Sequence, residues 1–510
     1  MKRKLISVLT IGMVAGLLAG CGESGASSNV KNENQQSGID AAVLENAVKI
    51  ELSDAGITVD GNPISTEKSA AVYVANDIVF YLADQGFTYG EGEPEDEHTQ
   101  EEADKNTVVH ITKPGDYVLS GFLSAGQIAV DLGEEAEEDP EAVVTLYLNG
   151  VDVNCDVAPA VIFYNVYECG STDEETATKD VDTSAAGANV VIMDNTVNNV
   201  NGSYVARIYK SYTLNEAGTE VVDNKKLHKY DAAFYSKMSM NLYGEKSGNG
   251  VLNINAENEG LDSELHLTIN GGIININSGN DGINTNEDNV SVTTLNGGQL
   301  NIMVNGSTGE GDGIDSNGWL VLNGGTLTSS ACGFSMDAGI DSDMGIYVNG
   351  GTIAASGNML DMIAGNEQPY VTFMSRALLD GGVTYTVKNE KGKVVAEYTP
   401  ANSFTYLIIS NESITQEGSY TLWNGETQVA EGSAGMNGMG GFGGFPGGGF
   451  PGGEMPEGFG GQIPEGFEGQ FPEGFGGQMP EGFNGQMPGS GFSNGEKPQN
   501  GQTRKDSSSL

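Results

Sequence analysis

Residues 311–325 read GDGIDSNGWLVLNGG, a phrase that joins an acidic Gly-rich turn to alternating apolar residues. Close relatives of this stretch occupy residues 258–272, 280–298 and 337–351. Each copy ends in an Asn-Gly-Gly triplet, and the triplets begin at Asn270, Asn296, Asn323 and Asn349. The intervals between them are 26, 27 and 26 residues. A nearly fixed period in this range indicates stacked repeats that bury a shared core.

Apolar residues keep the same places in every repeat. One residue before each triplet stand Ile269, Leu295, Leu322 and Val348. Four residues after each Asn stand Ile274, Leu300, Leu327 and Ile353. Because the repeating segments are short and β-branched, we predict an all-β fold, a right-handed parallel β-helix whose Asn-Gly-Gly corners use left-handed backbone. The alternative for any single copy is a β-sandwich hairpin with an Asn-Gly turn, but equal intervals and aligned columns favour the β-helix.

The N-terminus has the pattern of an export signal. Residues 1–21 carry a basic start, a short apolar run and the ending Leu-Ala-Gly-Cys. The apolar run is too short for a comfortable membrane span, as in a signal peptide. The ending resembles a lipobox, which implies lipidation of Cys21 after cleavage. A lipidated Cys21 would anchor the protein to the extracellular face of the bacterial cell membrane.

Composition divides the rest of the chain into four predicted parts. Residues 22–46 are polar and small, as in a flexible stalk. Residues 47–366 hold the β-helix with an N-terminal β cap, and residues 367–433 resemble a small antiparallel β module that caps its open end. Residues 434–510 are rich in Gly, Pro and Phe and predict a disordered tail. Inside the β-rich part, the acidic stretch 91–104 predicts a mobile loop.

Charge narrows the classes of partner. The chain has 70 Asp and Glu against 23 Lys and Arg, a net charge of −47, which disfavours nucleic acid and favours divalent cations or neutral ligands. From residue 247 to residue 375 there is no Lys or Arg against 15 acidic residues.

Neighbouring β-helix coils are about 4.8 Å apart. Two carboxylates about 5 Å apart repel by about 3 kcal/mol at an effective dielectric near 20.

Stacked carboxylates of this kind need protonation, hydration or a bound cation. Hard oxygen ligands suit Ca²⁺ best. We therefore predict Ca²⁺ held between coils by members of one set: Asp262, Asp281, Asp312, Asp315, Asp337, Asp341 and Asp343. The alternative is that these side chains are turn formers that bond local backbone amides.

Other chemistry finds less support in the sequence. We see no Ser-His-Asp arrangement, nucleophile elbow or phosphate-binding glycine loop. Paired carboxylates leave glycosidase chemistry open on residue types alone, although regular stacking explains them more simply. Trp319 and Tyr347 either offer exposed rings to a ligand or cover the solenoid surface. Cys155 and Cys169 either form a disulfide or remain separate thiols.

Several segments together resemble a known family. They are VVHITKPGDYVLSGFLSAGQIAVDLG (108–133), VVTLYLNGVDVN (143–154), DAAFYSK (231–237) and the Asn-Gly-Gly repeats. Over roughly residues 50–430 the chain resembles the bacterial surface carbohydrate-binding β-helix family first described in clostridia, within the pectate-lyase-like superfamily. The resemblance implies a pectate-lyase-like fold, calcium between coils, and binding of cellulose or acidic plant polysaccharides.

The resulting hypothesis is a non-catalytic cell-surface lipoprotein that binds polysaccharide with calcium, in which Trp319 and Tyr347 would stack on sugar rings if exposed. The first alternative is a calcium-dependent polysaccharide lyase. Pectate lyases use a basic residue beside calcium, and the carboxylate-rich coils offer none, which leaves Arg207 as the other candidate. The second alternative is a surface adhesin or scaffold that binds a protein partner through its tail and acidic face.

Overall fold

Alternation of apolar and polar side chains makes each repeat a series of half-buried strands. In the strand Ile273–Ser278, Ile274 and Ile276 are buried, while Asn275 and Asn277 lie on the opposite face. The computed structural model describes residues 41–435. Across these residues the chain is all-β, as predicted, apart from two short helices and one 3-10 turn.

The N-terminal elements are α1 (Ala41–Asn46), β1 (Val48–Leu52), β2 (Thr58–Val59), β3 (Asn62–Pro63), β4 (Val72–Ala75), α2 (Gln100–Ala103) and β5 (Thr107–Ile111). The next are β6 (Gly115–Leu123), β7 (Gly126–Val130), the 3-10 turn Glu134–Glu138, β8 (Val144–Cys155), β9 (Val161–Phe163), β10 (Ala188–Ile192), β11 (Val197–Gly202), β12 (Val205–Leu214) and β13 (Val221–Tyr230). The repeats contain β14 (Ala232–Ser236), β15 (Met240–Gly244), β16 (Val251–Ala256), β17 (Glu259–Ser263), β18 (Leu267–Ile269), β19 (Ile273–Ser278), β20 (Ile283–Thr285), β21 (Val292–Leu295), β22 (Gln299–Val304), β23 (Ile314–Ser316), β24 (Trp319–Leu322), β25 (Thr326–Ser330), β26 (Gly345–Val348), β27 (Thr352–Gly357) and β28 (Ile363–Asn366). The last strands are β29 (Tyr370–Leu379), β30 (Tyr385–Asn389), β31 (Val394–Tyr398), β32 (Phe404–Ser410), β33 (Ser419–Asn424) and β34 (Thr427–Gly435).

Three parallel ladders organise these strands. The first ladder runs β1-β6-β8-β10-β15-β18-β21-β24-β26-β28. The second runs β8-β11-β16-β19-β22-β25-β27. The third runs β5-β7-β9-β14-β17-β20-β23. Consecutive repeats therefore pair with one another in parallel, which excludes the hairpin alternative for them.

The predicted apolar columns lie in register. Ile269, Leu295, Leu322 and Val348 are partners along the first ladder. Ile274, Leu300, Leu327 and Ile353 are partners along the second. Every member of both columns is at most 2% exposed, so both belong to the shared core that the period predicts.

The Asn-Gly-Gly corners have the backbone that the sequence predicts. The second Gly of each triplet has a positive φ of 76° to 94°, where a side chain would be strained: Gly272, Gly298, Gly325 and Gly351. The Asn residues form a ladder of their own, in which each Nδ2 donates to the Oδ1 of the preceding Asn at 2.8 to 3.0 Å. The Asn-Gly-Gly corners and the apolar columns therefore repeat with the same period.

A long antiparallel hairpin, β12–β13, interrupts the repeats before β14. The acidic residues 91–104 contact it: Glu91 accepts a hydrogen bond from Arg207 at 3.3 Å, and Tyr204, just before β12, donates to Asp96. Helix α2, with a capped N-terminus, closes this segment. The structure differs here from the predicted mobile loop, because the charged side chains find partners on a hairpin distant in sequence.

At the C-terminal end the pairing changes direction. Strand β32 pairs antiparallel with β27, the last strand of the second ladder, and with β29. Strands β29 to β34 pair antiparallel and bury a separate cluster that includes Phe373, Tyr385, Phe404 and Leu422. The reversal ends the parallel stack. The exact domain boundaries proposed from composition remain predictions.

Cys155, Cys169 and Cys332 are free thiols, so separate thiols, not a disulfide, describe Cys155 and Cys169 here. Cys21 and the predicted signal peptide and tail lie outside the described residues. None of the helices within residues 41–435 has the length and hydrophobicity that a membrane-spanning segment needs.

Candidate functional site

The glycine of each repeated turn lies where neighbouring repeats approach closely. Along the third ladder, Gly282 donates its backbone N–H to the carbonyl of Asp312 at 3.0 Å, and Gly313 donates to Ala338 at 2.9 Å. A methyl group on Gly282 would lie 2.5 Å from the carbonyl oxygen of Gly313. Glycine is required here by the close approach, and its register fixes the acidic residues on either side.

That register brings predicted ligands into one column. Asp262 on β17, Asn284 on β20 and Asp315 on β23 are consecutive partners along the third ladder. Tyr235 on β14 precedes them in the same column. The sequence alignment of the turns therefore predicted this stacking correctly.

Three buried carboxylates form the densest acidic group. Asp231, Glu259 and Asp262 each offer a carboxylate oxygen, and these oxygens lie within 4.8 Å of one another. They are 6%, 5% and 0% exposed, respectively. Within residues 41–435 this is the one group of three His, Cys, Asp or Glu side chains with that geometry. We call it the carboxylate triad.

Burial dominates the electrostatics of the triad. It raises the pKa of Glu259 and Asp262 well above their ordinary values, and repulsion from neighbouring carboxylates adds to the effect. The pKa of Asp231 is also raised, mainly by burial, although Lys229 forms an ion pair with it. Burial alone would lower the pKa of Lys229, but the attraction and hydrogen bond of Asp231 raise it, so the ammonium stays charged.

Two oxygens at the triad have no partner. Glu259 accepts a hydrogen bond from Asn284 Nδ2 through Oε1 at 3.2 Å, but its buried Oε2 has no hydrogen-bond partner. The buried Oδ1 of Asn284 also has none. Asn286 Nδ2 donates to both oxygens of Asp262 at 3.0 and 2.9 Å. Unpartnered buried oxygens beside three carboxylates match the donors that a hard divalent cation requires.

Three of the other predicted ligands bond backbone amides of a neighbouring turn. Asp281 accepts from the N–H of Asp312 at 2.6 Å, Asp312 accepts from Ala338, and Asp337 accepts from Gly311 at 2.7 Å. These contacts are the turn-forming role that the sequence left as the alternative.

The remaining three, Asp315, Asp341 and Asp343, lie near one another. Burial raises the pKa of Asp315 to about 7, with repulsion from the other two as the next causes. Burial likewise raises the pKa of Asp341 to about 6. These three stay close without joining the carboxylate triad.

Basic residues reach the carboxylates from the hairpin. Lys229 pairs with Asp231, and Lys226 donates to both oxygens of Glu264 at 3.0 Å. The prediction that no basic group lies beside the acidic column is wrong at this position, because β13 folds over the start of the repeats. Arg207, the basic candidate from the sequence, pairs with Glu91 instead.

Sequence reasoning found one member of the triad, Asp262, and missed Asp231 and Glu259. Asp231 opens the DAAFYSK segment, which matches the repeats loosely, and Ala232 is the partner of Glu259 in the third ladder. Aligning that segment with the repeats would have placed Asp231 beside the turn. No periodic signal marks Lys229.

The two aromatic candidates share the outward face of the first ladder. Trp319 and Val321 on β24 lie on the opposite face of the strand from Leu320, and Tyr347 on β26 is the partner of Val321. Both rings are half-buried. Lys179 Nζ lies 5.1 Å from the centroid of the Tyr347 ring.

Comparison with known proteins gives a family. A family model described as carbohydrate-binding domain-containing protein matches residues 105–435. The chain belongs to this family. The matched range includes all three ladders' repeats, the carboxylate triad and the antiparallel C-terminal strands. Membership in the family confirms the carbohydrate-binding part of the predicted resemblance.

Among solved structures, this chain is similar to a polysaccharide lyase-like protein from C. thermocellum, solved as a gadolinium derivative. The identity is 19%, the TM-score is 0.33, and the match covers 60% of this chain and 88% of that one. No curated protein matches the sequence.

Proposed function

We propose that this chain is a non-catalytic, polysaccharide-binding lipoprotein of the bacterial cell surface. The observation that carries the proposal is the match of residues 105–435 to a carbohydrate-binding family. The three parallel ladders support a right-handed parallel β-helix, similar to pectate lyases, as its scaffold. The Leu-Ala-Gly-Cys ending at Cys21 supports lipidation and display on the extracellular face of the membrane.

Calcium belongs to the same proposal. Asp231, Glu259 and Asp262 would hold it, with the free Oδ1 of Asn284 as a further donor. Three ionised carboxylates and the ammonium of Lys229 leave a local charge of −2, which a divalent cation would neutralise. A bound Ca²⁺ would thus supply charge compensation and hold adjacent repeats together. The six other Asp residues predicted as ligands remain predictions.

The test is retention of the full chain by immobilised polysaccharides. Affinity electrophoresis through gels containing neutral β-glucan, mannan or polygalacturonate, with calcium or with chelator, should retard the chain on at least one polymer. Bovine serum albumin gives the unretarded reference. Unchanged mobility on every polymer in the presence of calcium would contradict carbohydrate binding. Retardation that persists in chelator would show that carbohydrate binding does not need calcium.

Lys229 gives a polysaccharide lyase one supporting observation, since a basic group beside a cation site is what such an enzyme needs. Its ion pair with Asp231 keeps it protonated, however, and a protonated amine cannot abstract a proton. We therefore expect no rise in ultraviolet absorbance from unsaturated products when polygalacturonate is incubated with the chain and calcium. A chelator-sensitive rise that Lys229→Met removes would establish the lyase instead.

A further inference from the structure

A groove of about 360 Å³ runs along the outward face of the first ladder. Its floor is a column of in-register residues on successive strands: Asn241, Thr268, Thr294 and Val321. Strands in a sheet are about 4.8 Å apart, so four positions span roughly 14 Å along the stack. The groove therefore follows the repeat direction, and its floor changes from the amide of Asn241 through two Thr hydroxyls to the apolar Val321.

The Asn ladder forms one wall of the groove. Asn270, Asn296, Asn323 and Asn349 line it, joined by one hydrogen bond per step. A carboxamide carries two N–H donors and an oxygen with two lone pairs. Each inner amide uses one donor and one lone pair in the ladder and keeps the other donor and lone pair for a ligand. The wall thus offers a donor and an acceptor at every repeat.

The opposite wall is the segment 179–184, between β9 and β10, which is fixed at both ends. Thr183, 4% exposed, hydrogen-bonds through Oγ1 to Asn241 Oδ1 and Thr268 Oγ1, both at 2.7 Å. Asn241, fully buried, returns a bond from Nδ2 to the carbonyl of Thr183 at 2.8 Å. At the other end Lys179 lies over the Tyr347 ring. These contacts form the groove before any ligand arrives, which limits the ordering cost of binding.

Charge selects the class of ligand. The charged side chains that line the groove are Lys179, Asp180 and Asp182, and Lys179 pairs with Asp180. Asp182 remains as an exposed carboxylate and would repel a polyuronate. Hydroxyl-rich neutral sugars, by contrast, pair with amides and Thr hydroxyls without any charge to desolvate. A pyranose unit advances a linear glycan by a distance similar to one strand spacing.

We propose that this groove is the polysaccharide-binding site, and that it takes a short segment of a neutral, linear, β-linked hexose polymer lying along the repeats. The inference rests on the proposed function, adds the site and the direction in which the glycan lies, and narrows the ligand from neutral or acidic polysaccharides to neutral ones. It places sugar recognition on the first ladder, whereas the carboxylate triad belongs to the third.

The experiment is calorimetric titration of the full chain with cellohexaose, mannohexaose and oligogalacturonate. We expect at least one neutral hexasaccharide to bind and the galacturonate to bind more weakly. Asn296→Ala removes the amide from the middle of the wall and should weaken binding by at least about fivefold, as loss of one or two hydrogen bonds would. Thr294→Val keeps the side-chain volume, removes a floor hydroxyl and should act in the same direction.

Asn275→Ala is the matched control, since Asn275 also donates to one Asn and accepts from another, at 2.8 Å each, but on the second ladder. It loses the same two ladder bonds and should change binding less than twofold. If the chain binds a neutral glycan while Asn296→Ala and Thr294→Val leave affinity unchanged, the groove assignment fails and the proposed function stands. Preferential binding of the galacturonate overturns the ligand class. Absence of binding to any sugar overturns both proposals.

Discussion

At the scale of single residues, Gly313 shows why the acidic turn repeats with so little variation. A methyl group there would lie 1.8 Å from Ser329 Oγ and 2.3 Å from the carbonyl oxygen of Gly339. We expect Gly313→Ala to lower the free energy of unfolding by about 1–3 kcal/mol or more, because backbone of the next repeat must shift. Urea denaturation followed by circular dichroism measures the loss.

Gly86→Ala is the control for that substitution, since a methyl group on Gly86 has nothing within 4 Å. It should leave the unfolding midpoint within experimental error of the wild type. Equal stability of the two variants would show that the repeats do not approach each other as closely as described.

A second expectation at this scale concerns calcium. Added at one hundred times its dissociation constant, Ca²⁺ should stabilise the chain by about 2.7 kcal/mol if it binds only the folded state. Asp262→Asn removes one charge of the carboxylate triad and should abolish most of that gain. Asp84→Asn, at an exposed carboxylate, should retain it. A full calcium gain in Asp262→Asn would move the ion to the other aspartates.

The residues of the columns could be predicted from the sequence, because the Ile, Leu and Val residues before and after each Asn-Gly-Gly triplet repeat at the period of the triplets. Which residues complete the carboxylate triad did not follow. Asp231 belongs to a repeat whose sequence has drifted, and Lys229 belongs to none. A sequence period identifies the residues that all repeats share. The carboxylate triad depends on residues that do not recur in every repeat.

At the scale of elements, the hairpin β12–β13 controls the environment of the triad. Lys229→Met should lower stability by about 3–5 kcal/mol in chelator, because removing the ammonium leaves Asp231 buried without its counter-charge. Calcium should recover part of the loss. Thermal unfolding with and without calcium measures both effects.

Lys225→Met, on the exposed part of the same strand, should be nearly neutral in both conditions. Equal destabilisation by the two substitutions would mean that the hairpin itself, and not its charge on Asp231, is responsible. The sequence did not reveal this element's role, because β12 and β13 lie outside the repeat and the ion pairs from β13 to Asp231 and Glu264 depend on tertiary folding.

At the scale of the whole molecule, stacked acids link stability to pH. Burial and repulsion raise the pKa of Asp312 to about 9, of Asp315 to about 7 and of Asp341 to about 6. Each is near about 3.9 when unfolded. The folded chain therefore binds more protons than the unfolded chain in this window, so stability should fall as pH rises from about 4 to 9. Urea midpoints in chelator across that range measure the slope.

Asp312→Asn removes the group with the highest of these values and should flatten the upper part of the slope. A midpoint that rises between pH 6 and pH 9 in chelator would contradict the raised pKa values. Calcium should reduce the loss of stability at high pH if it binds the ionised carboxylates. Comparing the slopes with calcium and with chelator therefore distinguishes neutralisation by protons from neutralisation by a bound cation.

The overall class was predictable because two independent signals agreed: a period near 26 residues and buried columns at fixed offsets. The all-β class and the in-register columns are confirmed. The end of the stack was harder to predict, since β27 and β32 pair through backbone groups across more than forty residues of sequence. Backbone pairing leaves little trace in the side-chain pattern, because every non-proline residue carries the same N–H and C=O groups.

Because the Asn ladder repeats at a nearly fixed interval, whole repeats could be inserted into the molecule. Residues 296–322 span one interval between triplets. Inserting a second copy before Asn323 would therefore add one repeat, and with it one residue to each column, while the contacts inside each existing repeat would stay the same. The antiparallel strands would simply dock one step further along. The Asn wall of the groove would lengthen by one amide, while the wall formed by residues 179–184 would keep its length.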